Sequence, residues 1–239
     1  MARIQGKLHS NGATSSPTVA VTLDAPVSSG NLVVVAVGTA VPGNSPVVFT
    51  CADDKGNTYT AVDVGDGNNF QWGSFYLQNI TNGPQTITVA IDAGASSRQF
   101  STIIATEFSG VQTTSPLDGH SINIFQAGTN TTDGITSGSA TTTANGDLIW
   151  GACVNLSGSS TLVVGTGYTL DQNSGSDFVT EYRTQTTAGS VASTWTGTSA
   201  DSFSSLMMAF KTTASTPFTN LSFSKMDTIN FGTDIVSYG

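Results

Sequence analysis

The sequence predicts an all-β protein, an antiparallel two-sheet sandwich of jelly-roll or related Greek-key type with N- and C-terminal extensions, and three observations predict it. Apolar residues come in runs of roughly four to eight broken by Gly, Asn, Asp and Ser, the spacing of a sandwich or barrel, and almost nothing reads as helix. The chain carries 37 Thr and 30 Ser, 67 of its 239 residues. Thr is β-branched and favours strands, and Ser closes periodic segments in turns. Finally, 38% of residues are hydrophobic and 10% charged, which is too apolar for a disordered polymer.

Each element follows from its own pattern. Residues 1–16 read as a polar N-terminal extension. PTVAVTL (17–23) opens the sandwich, and NLVVVAVGTA (31–40) is apolar on both faces, the mark of a central strand or of a face covered by a loop or another subunit. PVVFTCA (46–52) ends with Cys51 on the parity of Val47 and Phe49. The turn DDKGNTY, in which Gly56 or Asn57 takes φ > 0, leads into TYTAVDV (58–64) and then QWGSFYLQNI (71–80). In QTITVAID (85–92) Ile87, Val89 and Ile91 share one side, as a half-buried antiparallel strand requires. FSTIIATEFS (100–109) follows. Residues 110–146 hold one short apolar stretch, Ile122, Ile124 and Phe125, and read as a long crossover. DLIWGACVN (147–155), GYTLDQN (167–173), FVTEYRT (178–184), SVASTWTG (190–197) and FSSLMMAFK (203–211) complete one sandwich domain spanning 17–211.

The last segment, 212–239, is expected to be a C-terminal arm or hairpin. Phe218, Leu221, Phe223, Ile229, Phe231 and Ile235 lie among Ser, Thr and Asn without a helical stripe. Exposed, they would be an aggregation hazard, so they are expected to form an assembly interface, adding an extended strand to a neighbouring sheet edge, or to cover their own domain.

Charge and composition narrow the function. A net charge of −9 repels a phosphate backbone and argues against nucleic acid as partner. No apolar run approaches the roughly 18 residues of a membrane helix, and MARIQGKLHSNGATSS lacks the apolar core of a signal peptide, so synthesis in the cytoplasm is expected. Two cysteines, Cys51 and Cys153, are too few for a disulfide scaffold or zinc cluster and are expected to be buried free thiols. Walker A, GxGxxG and nucleophile-elbow patterns are absent.

Several blocks carry a resemblance. Asp54-Lys55-Gly56-Asn57-Thr58-Tyr59, Glu107-Phe108-Ser109-Gly110 and Ser115-Pro116-Leu117-Asp118, set among SGNLVVVAV (29–37), SFYLQNITNGPQTITV (74–89) and NGDLIWGA (145–152), are the most specific pieces. In this order they resemble a β-sandwich module that recurs in secreted bacterial proteins and in phage structural proteins. The resemblance covers roughly residues 17–211 and implies a binding or structural role, often within a larger assembly.

Candidate chemistry is sparse. Glu107 and Glu181 are the only glutamates, so a glycosidase pair of Glu residues would have to be these two. Against that, Glu107 lies within the module motif, and Glu181 stands two residues from Arg183, which suggests a same-face ion pair. His9 and His120 are expected at the surface, His120 beside Asp118 being the sole candidate for a Ser-His-Asp triad. Asp63, Asp66 and Asn68 have the oxygen density of a calcium loop, but Ser74 stands where an EF-hand needs its bidentate Glu. Ordinary Asx turns are the expectation there, so no metal and no cofactor is assigned. Trp72, Tyr76 and Trp195 are the candidates for a carbohydrate platform, with core packing as the alternative.

These readings converge on a non-catalytic virion structural protein of a bacteriophage, a capsid decoration or cement protein or a repeating surface protein, made in the host cytoplasm. Its expected partners are other copies of itself and a major capsid or other virion protein. The alternative is an extracellular carbohydrate-binding or adhesin module with a glycan partner.

Overall fold

The computed structural model describes residues 1–12, 16–42, 46–67, 69–94, 98–127, 132–158, 160–175 and 178–213, the side chains of residues 66, 67 and 127 excepted. Among the described residues there is no helix, and every strand pairing is antiparallel. The fold is the all-β sandwich architecture that the alternating runs predict.

The first half contributes Ala2–Ser10 (β1), Thr18–Thr22 (β2), Leu32–Ala40 (β3), Val48–Asp53 (β4), Thr60–Gly67 (β5), Phe70–Leu77 (β6), Thr86–Asp92 (β7) and Gln99–Ser109 (β8). A large sheet of order β1-β8-β3-β6-β5 packs on a small one of order β2-β7-β4. Alternation fills the space between them: Val33, Val35 and Val37 of β3 meet Phe49 and Cys51 of β4 and Ile87, Val89 and Ile91 of β7. The order 1-8-3-6 over 2-7-4 is that of a jelly roll, with the fifth strand carried on the large sheet.

The second half contributes Leu117–Ala127 (β9), Ile135–Thr136 (β10), Ala140–Thr141 (β11), Asp147–Asn155 (β12), Leu162–Val164 (β13), Thr169–Asn173 (β14), Phe178–Gln185 (β15), Ser190–Val191 (β16), Thr194–Gly197 (β17) and Ser202–Phe210 (β18). Its large sheet, β14-β15-β12-β18-β9, is covered by a β10-β17-β13 sheet and a β11-β16 ribbon. Trp195, Leu162 and Phe203 fill one part of that space, and Val191, Ile149 and Met207 the other.

The two large sheets lie face to face. Leu32, Val34, Ala36, Trp72 and Phe108 of the first pack against Leu148, Trp150, Phe178, Met208 and Phe210 of the second. The layers therefore number four, two stacked sandwiches where the sequence suggested one domain of two sheets. This explains why β3 and β18 are apolar on both faces: each lies inside a large sheet that is covered on both sides, and the cover is the other half of the same chain.

Two strands emerge from segments read as irregular. β1, from the N-terminal extension, pairs along β8, and β9, from the long connection, pairs along β18. Both are edge strands with one half-exposed face, so their residues are mixed in polarity and their alternation is weak. The DDKGNTY turn forms as expected: Gly56 takes φ +80°, and Asp53 Oδ1 accepts the N–H groups of Lys55 and Asn57.

Candidate functional site

Acids embedded in an apolar sheet protein must find donors, and their partners show what they do. Glu107, on β8, faces the first core, where its carboxylate accepts from Gln5 Nε2, Ser28 N–H and Asn31 Nδ2. Glu181, on β15, faces the opposite outer core and accepts the backbone N–H groups of Gly165 and Thr194. Burial pushes Glu181 up to about 8. Both face away from the seam between the large sheets, so two sheets separate them and they cannot act as a glycosidase pair. The expected Glu181–Arg183 ion pair does not form either; Arg183 stacks over the Tyr168 ring, 4.4 Å from its centroid.

Two acidic clusters go beyond the sequence reading, which singles out only Asp118 among their members. Asp171, a residue on the bulge of β14, has a side chain with no exposure; its Oδ1 accepts Arg3 Nε, and its Oδ2 accepts Thr106 Oγ1 at 2.6 Å, Trp150 Nε1 at 2.9 Å and Thr180 Oγ1 at 3.1 Å. The second is a row across β9, β12 and the end of β18. Asp118 accepts Thr143 N–H, Thr143 Oγ1, Ala144 N–H and, at 3.1 Å, Lys211 Nζ. Asp147 is fully buried beside Asp118, and neither of its oxygens has a hydrogen-bond partner. Burial first, then the neighbouring Asp118 charge, push Asp147 up to about 7, while the donors around Asp118 hold it well below the usual carboxylate range. The only signal for either site is an Asp inside or at the head of an apolar strand, in YTLDQN and NGDLIWGA.

The other predicted residues fall as follows. His120 is on β9, and its Nδ1 lies 3.0 Å from Asp63 Oδ1, not beside Asp118, so the triad arrangement is not formed. Asp63, the first candidate calcium ligand, is thereby engaged, and burial raises its pKa against the opposing effect of His120. The Asp66 side chain and Asn68 lie outside the described residues. His9 Nε2 meets Asn11 Oδ1 at the surface. Trp72 and Trp195 are fully buried and Tyr76 is 8% exposed. They are core residues, not a sugar platform, because β6 and β17 present their aromatics to covered faces; Trp72 Nε1 donates to Ser204 Oγ across the seam. Trp150 is buried too, which leaves no tryptophan at the surface. Cys51 and Cys153 are free and lie in different outer cores. Phe218, Leu221, Phe223, Ile229, Phe231 and Ile235 lie outside the described residues.

None of these acids lines the principal clefts. A cleft of about 290 Å³ at one end of the seam is bordered by Phe70, Phe100, Phe178, Ser10, Thr102 and Asn155, with no charged group in its walls. Glu107, Glu181, Asp118 and Asp171 tie elements together, each met by donors from other parts of the chain, whereas the buried Asp53 serves its own turn and Asp147 has no donor. Comparison with protein families, with curated proteins and with solved structures returned no match.

Proposed function

We propose that this chain is a non-catalytic structural protein of a bacteriophage virion, a decoration, cement or repeating surface protein that assembles with copies of itself and with another virion protein. The observation that carries the reading is the jelly-roll strand order, which occurs twice in one chain. Jelly rolls serve in capsid and lectin domains, and the argument is one of fold analogy joined to the resemblance in the sequence. The lectin alternative loses the three aromatic residues that suggested it, since all are buried. Glu107, Glu181, Asp171 and Asp118 bind backbone and side-chain donors inside the fold, a use of carboxylates that suits a scaffold.

The assembly contacts are proposed for the C-terminal arm, 212–239, on the strength of Phe218, Leu221, Phe223, Ile229, Phe231 and Ile235 in its sequence, with packing on its own domain as the alternative. Protein mass spectrometry of purified particles is the direct test: the chain should be present in many copies, and its absence from particles rejects the virion role. Truncation after Thr213 tests the arm separately. The truncated chain should stay folded and monomeric while losing self-association; a truncated chain that still assembles assigns the contacts elsewhere.

A further inference from the structure

We infer that residues 1–113 and 114–213 are two copies of one module, and that their facing large sheets are two copies of one self-complementary docking surface, related by a pseudo-two-fold axis. The partner that each inner face fits is the same face of the other copy.

Strand order gives the first correspondence. Read as β1→β9, β3→β12, β5→β14, β6→β15 and β8→β18, the two large sheets have the same order throughout. Register then fixes it residue by residue. Leu32 pairs with Phe108 and Val34 with Tyr76 in the first half, while Leu148 pairs with Phe210 and Trp150 with Tyr182 in the second. Placing Leu32 on Leu148 therefore places Phe108 on Phe210 and Tyr76 on Tyr182.

Several irregularities coincide as well, which a shared strand order does not require, although the shift at Gly38/Ala40 and the second one on β9 are each peculiar to one half. The first strand of each half bulges at the same point, between Arg3 and Gln5 and between Leu117 and Gly119. The fifth strands bulge opposite Ser74 and Thr180, whose hydroxyls accept the N–H groups of Asp63 and Gln172, both at 3.1 Å. The turn before each central strand uses a glycine in the left-handed region, Gly30 at +83° and Gly146 at +84°. Tyr-Thr recurs at the head of both fifth strands, at 59–60 and 168–169.

The seam shows the symmetry directly. Tyr76 of the first half meets Phe210 of the second edge to face, with centroids 5.3 Å apart at 67°. Tyr182 of the second half meets Phe108 of the first at 5.6 Å and 65°. Under the correspondence each contact is the image of the other, which is the signature of an isologous interface. One corner contact obeys it too: Asp63 on β5 meets His120 on β9, and the image residue Gln172 on β14 donates its Nε2 to the carbonyl of Gly6, the image of His120, on β1 at 3.0 Å.

If the seam is a self-complementary interface, the order of the halves along the chain is immaterial to it. Met1 and Thr213 border the same cleft, so residues 214–239 can join them. A full-length circular permutant that runs 114–239 and then 1–113 is expected to fold with a melting temperature within about 5 °C of the parent, the shift of one or two modest interactions in a chain this size. Two double-mutant cycles accompany it, Tyr76→Ala with Phe210→Ala and Tyr182→Ala with Phe108→Ala, read in the full natural chain. Their couplings are expected to share a sign and agree within about a factor of two. A permutant that fails to fold, or cycles of opposite sign, overturns the inference and makes the seam one asymmetric core.

Discussion

Replacing Asp171 by alanine removes the acceptor shared by four donors from four other strands: Arg3 on β1, Thr106 on β8, Trp150 on β12 and Thr180 on β15. The donors do not suffer equally. Arg3 is 24% exposed and regains water, and the threonine hydroxyls can rotate toward backbone carbonyls. The Trp150 N–H is fixed in the ring plane inside the seam, and a buried donor left unpaired costs about 1–3 kcal/mol. Removing one member of a buried, hydrogen-bonded ion pair costs about 3–5 kcal/mol in all. At about 2–4 °C per kcal/mol for a chain this size, the melting temperature should fall by about 6–20 °C. Thermal and urea unfolding followed by tryptophan fluorescence measure the loss, and Arg3→Ala should cost distinctly less because its carboxylate partner keeps three donors. A loss below about 1 kcal/mol for Asp171→Ala would refute the view that this carboxylate ties the two halves together.

Between about pH 5 and 8 stability should fall as pH rises, whereas below about pH 4 the lowered Asp118 acts in the opposite direction. Asp147 and Glu181, held at about 7 and about 8, bind protons more tightly folded than unfolded. Their contributions are whole below about pH 4 and are lost through those values. Asp147→Asn, which keeps the shape without the charge, should flatten the decline of melting temperature between about pH 5 and 8; an unchanged slope refutes the assignment. Gly165→Ala should destabilise by about 1–3 kcal/mol in urea titrations, because an added Cβ would collide with the Thr194 carbonyl oxygen and strain the strand pair that Glu181 ties together. Burial pushes the thiols of Cys51 and Cys153 well up, so the native protein should resist alkylation and the unfolded protein take two labels. A mass 2 Da below the expected value with no label would show a disulfide instead.

The strands that the sequence made legible are those with a strong apolar period. β3, β7, β8, β12 and β18 sit where their runs placed them, since central strands are apolar enough to override local polarity. β1 and β9 were hidden because an edge strand keeps polar residues such as Gln5, Lys7, His120 and Asn123 on or near its open side. The buried acids were hidden for a different reason. Asp171 and Asp147 gain their partners from residues between 9 and 168 positions away, and no local pattern encodes an acceptor for Arg3 or a neighbour for Asp118. Candidates chosen by residue type alone, the tryptophans above all, were misplaced because a strand parity marked as aromatic can face a second sheet as readily as solvent.

The four-layer stack changes what remains to be explained about assembly. Runs apolar on both faces, NLVVVAV and SSLMMAF, are what a chain needs when it must cover each large sheet twice, and here the covering surfaces are all its own. Those runs therefore give no support to a neighbouring subunit. Among the described residues, the outward surface available to association includes the Thr- and Ala-bearing outer faces of the small sheets, with Val48 and Val163 exposed on them, and the exposed side chains of Ile4, Val64, Phe100, Phe125 and Leu170. The sequence adds the apolar residues of 214–239, which lie outside the described residues. A flat face of short side chains offers little apolar area per residue, at about 25 cal/mol per Å² buried. Large side chains such as Phe218, Phe223 and Phe231 offer several times more for the same length of chain. On the proposed virion role, the apolar residues of 214–239 are the richest source of contact area per residue in the sequence, while the jelly rolls supply a body whose tryptophans and buried acids are already committed to the fold.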